Sequence, residues 1–460
     1  MEKQVNSGRR RIPGRGIDRR EFIRLSSLAA MGAAAMPGMF GCAAYQPPQD
    51  CRSRITRTGA GFQRKPFEPA ALGSVKARNR FIRSATTLGL ALPNGRPSPE
   101  LADVYTELCE GGVGAIITDA AAIRQSGKLG TPYCLVFEAD DAVADFRILT
   151  ERAHAHNTPI LLQIAHGGRQ TRRAYTGTAP VAPSPVADSY YNEETPRELT
   201  DLEIRQIISD FVAAIVRARK AGFDGVQLHG AHGYLLSGFL SPATNRRTDQ
   251  WGGSTENRFR IVAEIFRSAR KQVGDYPILI KMNAYDHQAD GLRVEEAGRI
   301  AVLLQEAGCD AVEVSCGMAC DGFSTIRVAE IPSEAVLAFS FQYKDKPYLV
   351  KQLLPLVAPL MVDRPEPLLN YNVCATADIK RQVSIPVITV GGIRQLRDIE
   401  GIIGGNMADF VAMGRPFIIE PDIVNRFRDE SAAESSCINC GYCLLAIEQG
   451  ATRCFHGEIS

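Results

Sequence analysis

The chain has 460 residues, 45% hydrophobic and 23% charged, with a formal net charge of +2 at pH 7. That length holds one large α/β domain with extensions, or two to three smaller domains. The near-neutral balance, with no basic stripe interleaved with aromatics, gives no reason to expect nucleic acid as a partner. Its 12 cysteines are too sparse for a disulfide-built scaffold and many for a plain cytosolic enzyme.

Residues 1–24 hold Arg9, Arg10, Arg11, Arg15, Arg19, Arg20 and Arg24, and residues 25–44 are small, weakly apolar and nearly uncharged. A charged stretch followed by an apolar one is the layout of an export signal. The Ala- and Gly-rich part, broken by Pro37, is too weakly apolar to read as a membrane span. Asp18-Arg19-Arg20-Glu21-Phe22-Ile23-Arg24 resembles the twin-arginine export signal, a route that carries folded, cofactor-loaded proteins. Residues 1–44 are therefore predicted to be a signal segment and the protein to be exported or periplasmic, or cytoplasmic where the signal is not used. Gly41-Cys42 adds the alternative of lipid attachment, and with it membrane association through the N-terminus, although Phe40 fits that motif poorly. Residues 45–75, with Pro, Gly and mixed charge, read as a linker.

From residue 80 onward short apolar β-rich runs alternate with segments of helical period. Strands are predicted at 81–85, 114–118, 159–164, 225–229, 277–282, 310–314, 386–390 and 409–413. The clearest helix runs over 200–221. Thr200 and Glu203 form a capping box, Ile204, Ile207, Ile208, Phe211, Val212 and Ile215 line one face, and Gly222 closes it. A second begins near Ser254 with Phe259, Val262, Ile265 and Phe266 on one face, and others fall at about 99–109, 294–307 and 376–381. This alternation predicts the α/β class and a (β/α)8 TIM barrel over 76–430, followed by a Cys-rich tail over 431–460. A doubly wound open sheet is the alternative, but the Gly-rich dinucleotide turn it calls for is not found. Long connections at 167–198 and 315–372 leave the C-terminal ends of their strands, where barrel active sites and lids are built.

The chemistry-bearing residues fall at that same end. His229, His232 and Tyr234 follow the fourth strand within six residues, in a chain that has only 7 histidines. Imidazole and phenol both donate hydrogen bonds and move protons. Gln163 and His166 end the third strand, and Lys281 lies in the fifth. Gly391-Gly392 and Gly414-Arg415 follow the seventh and eighth strands, where glycine amides and an arginine suit a phosphate.

These residues carry a resemblance. His229-Gly230-Ala231-His232-Gly233-Tyr234-Leu235-Leu236 runs on through Phe239-Leu240-Ser241-Pro242, Asn245, Arg247, Asp249, Trp251-Gly252-Gly253-Ser254 and Glu256-Asn257-Arg258. With Arg78-Asn79-Arg80-Phe81, Gln163-Ile164-Ala165-His166-Gly167-Gly168-Arg169 and Val390-Gly391-Gly392-Ile393, it resembles the old yellow enzyme family of NADH:flavin oxidoreductases, from about residue 66 to 430. The resemblance implies FMN at the barrel mouth and NAD(P)H as donor. Gln163 would bond the pyrimidine side, and Lys281 would set a positive charge near N1 and favour the anionic reduced flavin. Ser84, Thr86 and Thr87 would lie against the flavin, with the choice between the two threonines at O4 and N5 left open. Gly391, Gly392, Gly414 and Arg415 would hold the phosphate. His229 and His232 would bind a carbonyl oxygen on a small-molecule substrate, and Tyr234 would protonate its conjugated alkene. The other readings are an oxidative amine or ether demethylase, and an exported flavin electron carrier with a redox partner protein.

Cys437, Cys440, Cys443 and Cys454 form a second cluster, three thiols at two-residue gaps and a distant fourth. That pattern suits a 4Fe-4S cluster. Relatives with a cluster just after the barrel have a second gap one residue longer, so structural zinc and a tail of thiols or disulfides stay open. Export also separates the protein from the cytosolic nicotinamide pool, leaving the source of electrons unassigned.

Overall fold

The structure, a computed structural model, describes residues 49–56, 65–191, 194–318, 322–330, 332–361 and 366–458. The expected signal segment, with Arg19, Arg20 and Cys42, lies outside the described residues.

Eight strands close into a parallel barrel: β1 (Phe81–Arg83), β2 (Ala115–Ile117), β3 (Ile160–Ala165), β4 (Gly225–Gly230), β5 (Ile278–Asn283), β6 (Val312–Ser315), β7 (Val387–Val390) and β8 (Phe410–Met413). Each pairs in parallel with the next, and β8 pairs with β1 to complete the ring. Closure removes the open-sheet alternative. Helices α1 (Pro99–Glu110), α2 (Ala142–Ala155), α3 (Asp201–Lys220), α4 (Thr255–Val273), α5 (Val294–Glu306), α6 (Val373–Lys380) and α7 (Leu396–Gly404) alternate with the strands.

The local signals act as expected. Thr200 and Glu203 form the reciprocal capping box of α3. Its apolar face, Ile204 to Ile215, is buried, as are Phe259, Val262, Ile265 and Phe266 of α4. Each such side chain contributes about 1.5–3 kcal/mol. Register is fixed by a repeated device at the N-terminal ends of alternate strands. Asp224, Asp310 and Asp409 precede β4, β6 and β8, and accept from the first amides of the preceding strands: Ile160 at 2.8 Å, Ile278 at 2.7 Å and Val387 at 2.8 Å.

The N-terminal end of the barrel is plugged by an antiparallel hairpin, Ala70–Leu72 with Val75–Ala77, whose Leu72, Val75 and Ala77 meet the lower interior residues. The segment expected to be a linker is thus partly built into the fold. Its helix Gln49–Ile55 is also tied to α6 by a disulfide between Cys51 and Cys374, 323 residues apart, which no sequence signal announced. Among the described residues no helix is long and apolar enough to cross a membrane.

Candidate active site at the barrel mouth

Alternation along the strands decides which side chains face inward. The lowest inward layer is apolar, with Ile82, Leu161, Leu279, Ala311 and Ile388. Two residues further along, the inward positions turn polar: Ser84, Gln163, Gln227, Lys281 and Glu313, all buried. Above them stand His229, Asn283 and Ser315.

The polar layer satisfies itself as one network. Gln163 Nε2 donates to Gln227 Oε1 at 2.6 Å, and Gln227 Nε2 donates to Glu313 Oε2 at 2.7 Å. Ser84 Oγ donates to Glu313 Oε1 at 2.6 Å and accepts from Lys281 Nζ at 2.9 Å, while Lys281 Nζ lies 3.3 Å from Glu313 Oε1. Burial lowers the Lys281 pKa, and Glu313 opposes that shift.

The expected catalytic residues come together. The ring centroids of His229 and His232 are 5.2 Å apart, and those of His229 and Tyr234 are 4.7 Å apart, both edge-on. His232 adopts φ +62°, a left-handed conformation unusual for a side chain of its size. It is held there by its amide donating to Asn283 Oδ1 at 3.1 Å and by Nε2 at 2.7 Å from Ser315 Oγ. Burial holds His229 well below its ordinary pKa and pushes His232 down to about 3, so both rings are neutral. Burial also raises the Tyr234 phenol, with Cys134 and Asp188 adding to the shift, so it keeps its proton.

The two long connections meet beside this triangle. Tyr190 and Tyr191, from the loop after β3, pack edge-on at 4.9 Å, and Phe341, from the connection after β6, lies 5.3 Å from Tyr190. Arg172 stacks 4.1 Å over Phe341. Burial and the nearby Tyr234 raise the Tyr191 phenol.

On the far side, Thr86 and Thr87 are half-buried past the end of β1, with Thr86 Oγ1 donating to the Ser84 carbonyl at 2.9 Å. Gly391 and Gly392 follow β7 with φ +130° and +69°. A Cβ on Gly391 would come 2.5 Å from the Tyr371 ring, so no larger residue fits that turn. Arg415 donates one nitrogen to the Ile326 carbonyl at 2.7 Å, while its Nη1 is buried with no partner among the described residues. A buried guanidinium nitrogen left unpaired beside glycine turns is the donor a phosphate oxygen satisfies.

The NADH:flavin oxidoreductase / NADH oxidase family model matches residues 65–322 and 324–434. The chain belongs to this family. An NADH oxidase of Thermoanaerobacter brockii is 37% identical over 81% of this chain and 52% of its own length, so the chain spans about half of that protein. An NADPH dehydrogenase of Clostridium acetobutylicum is 31% identical over 78% of this chain and 93% of its own. Among solved structures, an old yellow enzyme homologue from Zymomonas mobilis shares the fold, with a TM-score of 0.64 and 23% identity over 82% of this chain and 96% of that one. The polar floor and the orphaned Arg415 nitrogen fit the FMN that membership implies.

The family match ends before the four tail cysteines. Positive φ at Asn439 and Gly441 folds that segment back, and Cys437, Cys440, Cys443 and Cys454 line one cavity of about 40 Å³ together with Arg415 and Ile418. Burial pushes the Cys443 thiol up to about 12 and raises Cys440. Among the described residues no three His, Cys, Asp or Glu side chains close on the position of a single metal ion.

Sequence reasoning passed over Glu313, Gln227, Asn283 and Ser315. The signal was present: a buried strand that should read as continuous apolar residues instead carries Glu313 and Ser315 two apart, the spacing of one face.

Proposed function

We propose that this family member reduces the double bond of a small substrate whose alkene is conjugated to a carbonyl group. The observation that supports it is the neutral triangle of His229, His232 and Tyr234 standing above the Lys281 layer. FMN, when bound and reduced by NADH or NADPH, would supply the hydride chemistry. His229 Nδ1 accepts from the Ala231 amide at 3.4 Å, which places its proton on Nε2 for donation to substrate. A Ser315 hydroxyl donated to His232 Nε2 would leave the proton of that ring on Nδ1. Two N–H groups on one carbonyl oxygen stabilise the negative charge that builds there as the hydride arrives. Tyr234 gives its phenolic proton to the α-carbon and regains one from water. The alkene gains H⁻ and H⁺ and becomes saturated, and the donor leaves as oxidised nicotinamide.

In this reading Gln163 would bond the flavin pyrimidine edge, Lys281 would hold positive charge beside N1, and Ser84, Thr86 and Thr87 would line the ring. Gly391, Gly392, Gly414 and Arg415 take the phosphate. The test is anaerobic turnover of cyclohexenone-type substrates with NADH or NADPH. The expected result is donor oxidation matched one-to-one by saturated ketone. Silence across a panel of enones, with rapid electron exchange with a partner protein, would instead establish an electron carrier.

The tail cysteines are assigned to a 4Fe-4S cluster. A cluster spreads its thiolates around a volume far larger than a single ion, which suits one cavity shared by four thiols that do not converge on one point. When bound, it supplies one-electron chemistry. Iron and sulfide analysis with an optical spectrum of anaerobically purified protein tests this, and tail thiols with neither iron nor sulfide would refute it. Export through the twin-arginine route is proposed as well. The Cys51–Cys374 disulfide supports it, because disulfides persist in oxidising compartments. Fractionation that finds only cytosolic protein with an intact N-terminus would overturn it.

A further inference from the structure

Charge at the barrel floor is balanced in pairs. Lys281 lies 3.3 Å from Glu313, and Arg83 lies 2.7 Å from Asp119, all four side chains 3% exposed or less. Both oxygens of Glu313 are engaged. One oxygen takes the Ser84 hydroxyl and the Lys281 ammonium, and the other takes the Gln227 amide. The polarity then passes outward. Gln227 accepts from Gln163, so the Gln163 amide nitrogen is committed inward and its carbonyl oxygen is left for a ligand above the floor.

We propose that Glu313 is the counter-charge that sets the flavin's reduction potential, by cancelling the cation that Lys281 holds beside the flavin. The inference rests on the placement of Lys281 beside N1 described above. A bare buried ammonium would strongly favour the negative charge that the flavin acquires on reduction. With Glu313 3.3 Å away, the reduced cofactor meets a neutral, dipolar pair instead. The floor therefore discriminates less between reduced and oxidised flavin than Lys281 alone would, and the potential is lower. Glu313 acts through Lys281 and is a positioning residue.

The experiment is a midpoint-potential titration of FMN-loaded wild type, Glu313→Gln, Glu313→Asp and Lys281→Met, with FMN dissociation constants from titration of the apoproteins. Glu313→Gln, which leaves the cation uncompensated, is expected to favour reduced over oxidised flavin by at least tenfold. For a two-electron couple that is a rise of about 30 mV. Glu313→Asp keeps the charge and should stay within that interval of wild type, and Lys281→Met should fall below it. Should Glu313→Gln fail to fold, Lys281→Met/Glu313→Gln compared with Lys281→Met isolates the same charge, and the double variant should sit higher. An unchanged or lowered potential in Glu313→Gln, with Lys281→Met lowered, overturns the counter-charge role alone. No change in Lys281→Met overturns the placement of Lys281 and the inference with it.

Discussion

The imidazole Nε2 of His232 lies 2.7 Å from the hydroxyl of Ser315, a link between the loop after β4 and the end of β6. It fixes which ring nitrogen faces the substrate. Ser315→Ala should leave FMN content intact and lower kcat/KM for an enone roughly three- to tenfold, the range of one lost neutral hydrogen bond of about 0.5–1.5 kcal/mol. Full activity in that variant would show that the tautomer of His232 is set elsewhere.

Tyr234→Phe separates the two halves of the proposed reaction. Reduction of the flavin by NADH or NADPH needs no phenol and should proceed at the wild-type rate. Reoxidation by an enone should slow by about 100-fold or more, the usual weight of a general acid. Rapid-mixing measurements of each half-reaction decide it. Equal slowing of both would make Tyr234 a packing residue.

Arg415→Gln removes the guanidinium but keeps a polar side chain. Affinity of the apoprotein for FMN should fall by about 10- to 100-fold, as expected for hydrogen bonds to a charged group worth about 1.5–3 kcal/mol. Affinity for riboflavin, which has no phosphate, should barely change. Equal losses for both ligands would place Arg415 away from the phosphate.

Four histidines withdrawn from water make the fold sensitive to acid. Burial pushes His166 and His232 down to about 3 and His287 to about 4, and holds His229 well below 6.5. Each is neutral when folded but takes up a proton when unfolded as pH drops below that ordinary value. Their contribution is therefore complete above pH 6.5 and is lost as pH falls toward 3–4, at up to about 1.4 kcal/mol per pH unit for each ring. Thermal unfolding followed from pH 7 to 5 should show a falling Tm, and His287→Leu should flatten the slope. A Tm independent of pH over that range would contradict the burial of these rings.

Reducing the Cys51–Cys374 disulfide should cost less than its long span suggests. The helix Gln49–Ile55 lies outside the barrel strands, so its local detachment would limit the loss to about the 2 kcal/mol at the lower end for such bonds. Limited proteolysis with and without a thiol reductant should show cleavage near residue 51 appearing while the barrel stays resistant. Unfolding of the whole barrel on reduction would show the bond to be integral to it.

What was legible in the sequence follows the range of each signal. Capping at Thr200, the apolar period of α3 and α4, and the dense run from His229 to Arg258 are local, so the barrel and its upper rim could be read directly. The floor depends on which residues from five strands share one inward layer. Glu313 gains its meaning only when closure sets it against Ser84, 229 positions earlier, and Lys281. The disulfide is hidden for the same reason, since neither Cys51 nor Cys374 has a neighbour in the chain that marks it.

Glu448 in the tail accepts from the Tyr190 hydroxyl on the loop after β3 and from the Phe341 amide at 2.8 Å on the connection after β6. One carboxylate thus latches together the two segments that roof the substrate site. Glu448 lies two residues past the short helix Tyr442–Ala446, which carries Cys443, so the tail is joined to both connections. A chain trimmed after the last barrel helix would keep the floor and lose the acceptor that Tyr190 and Phe341 share.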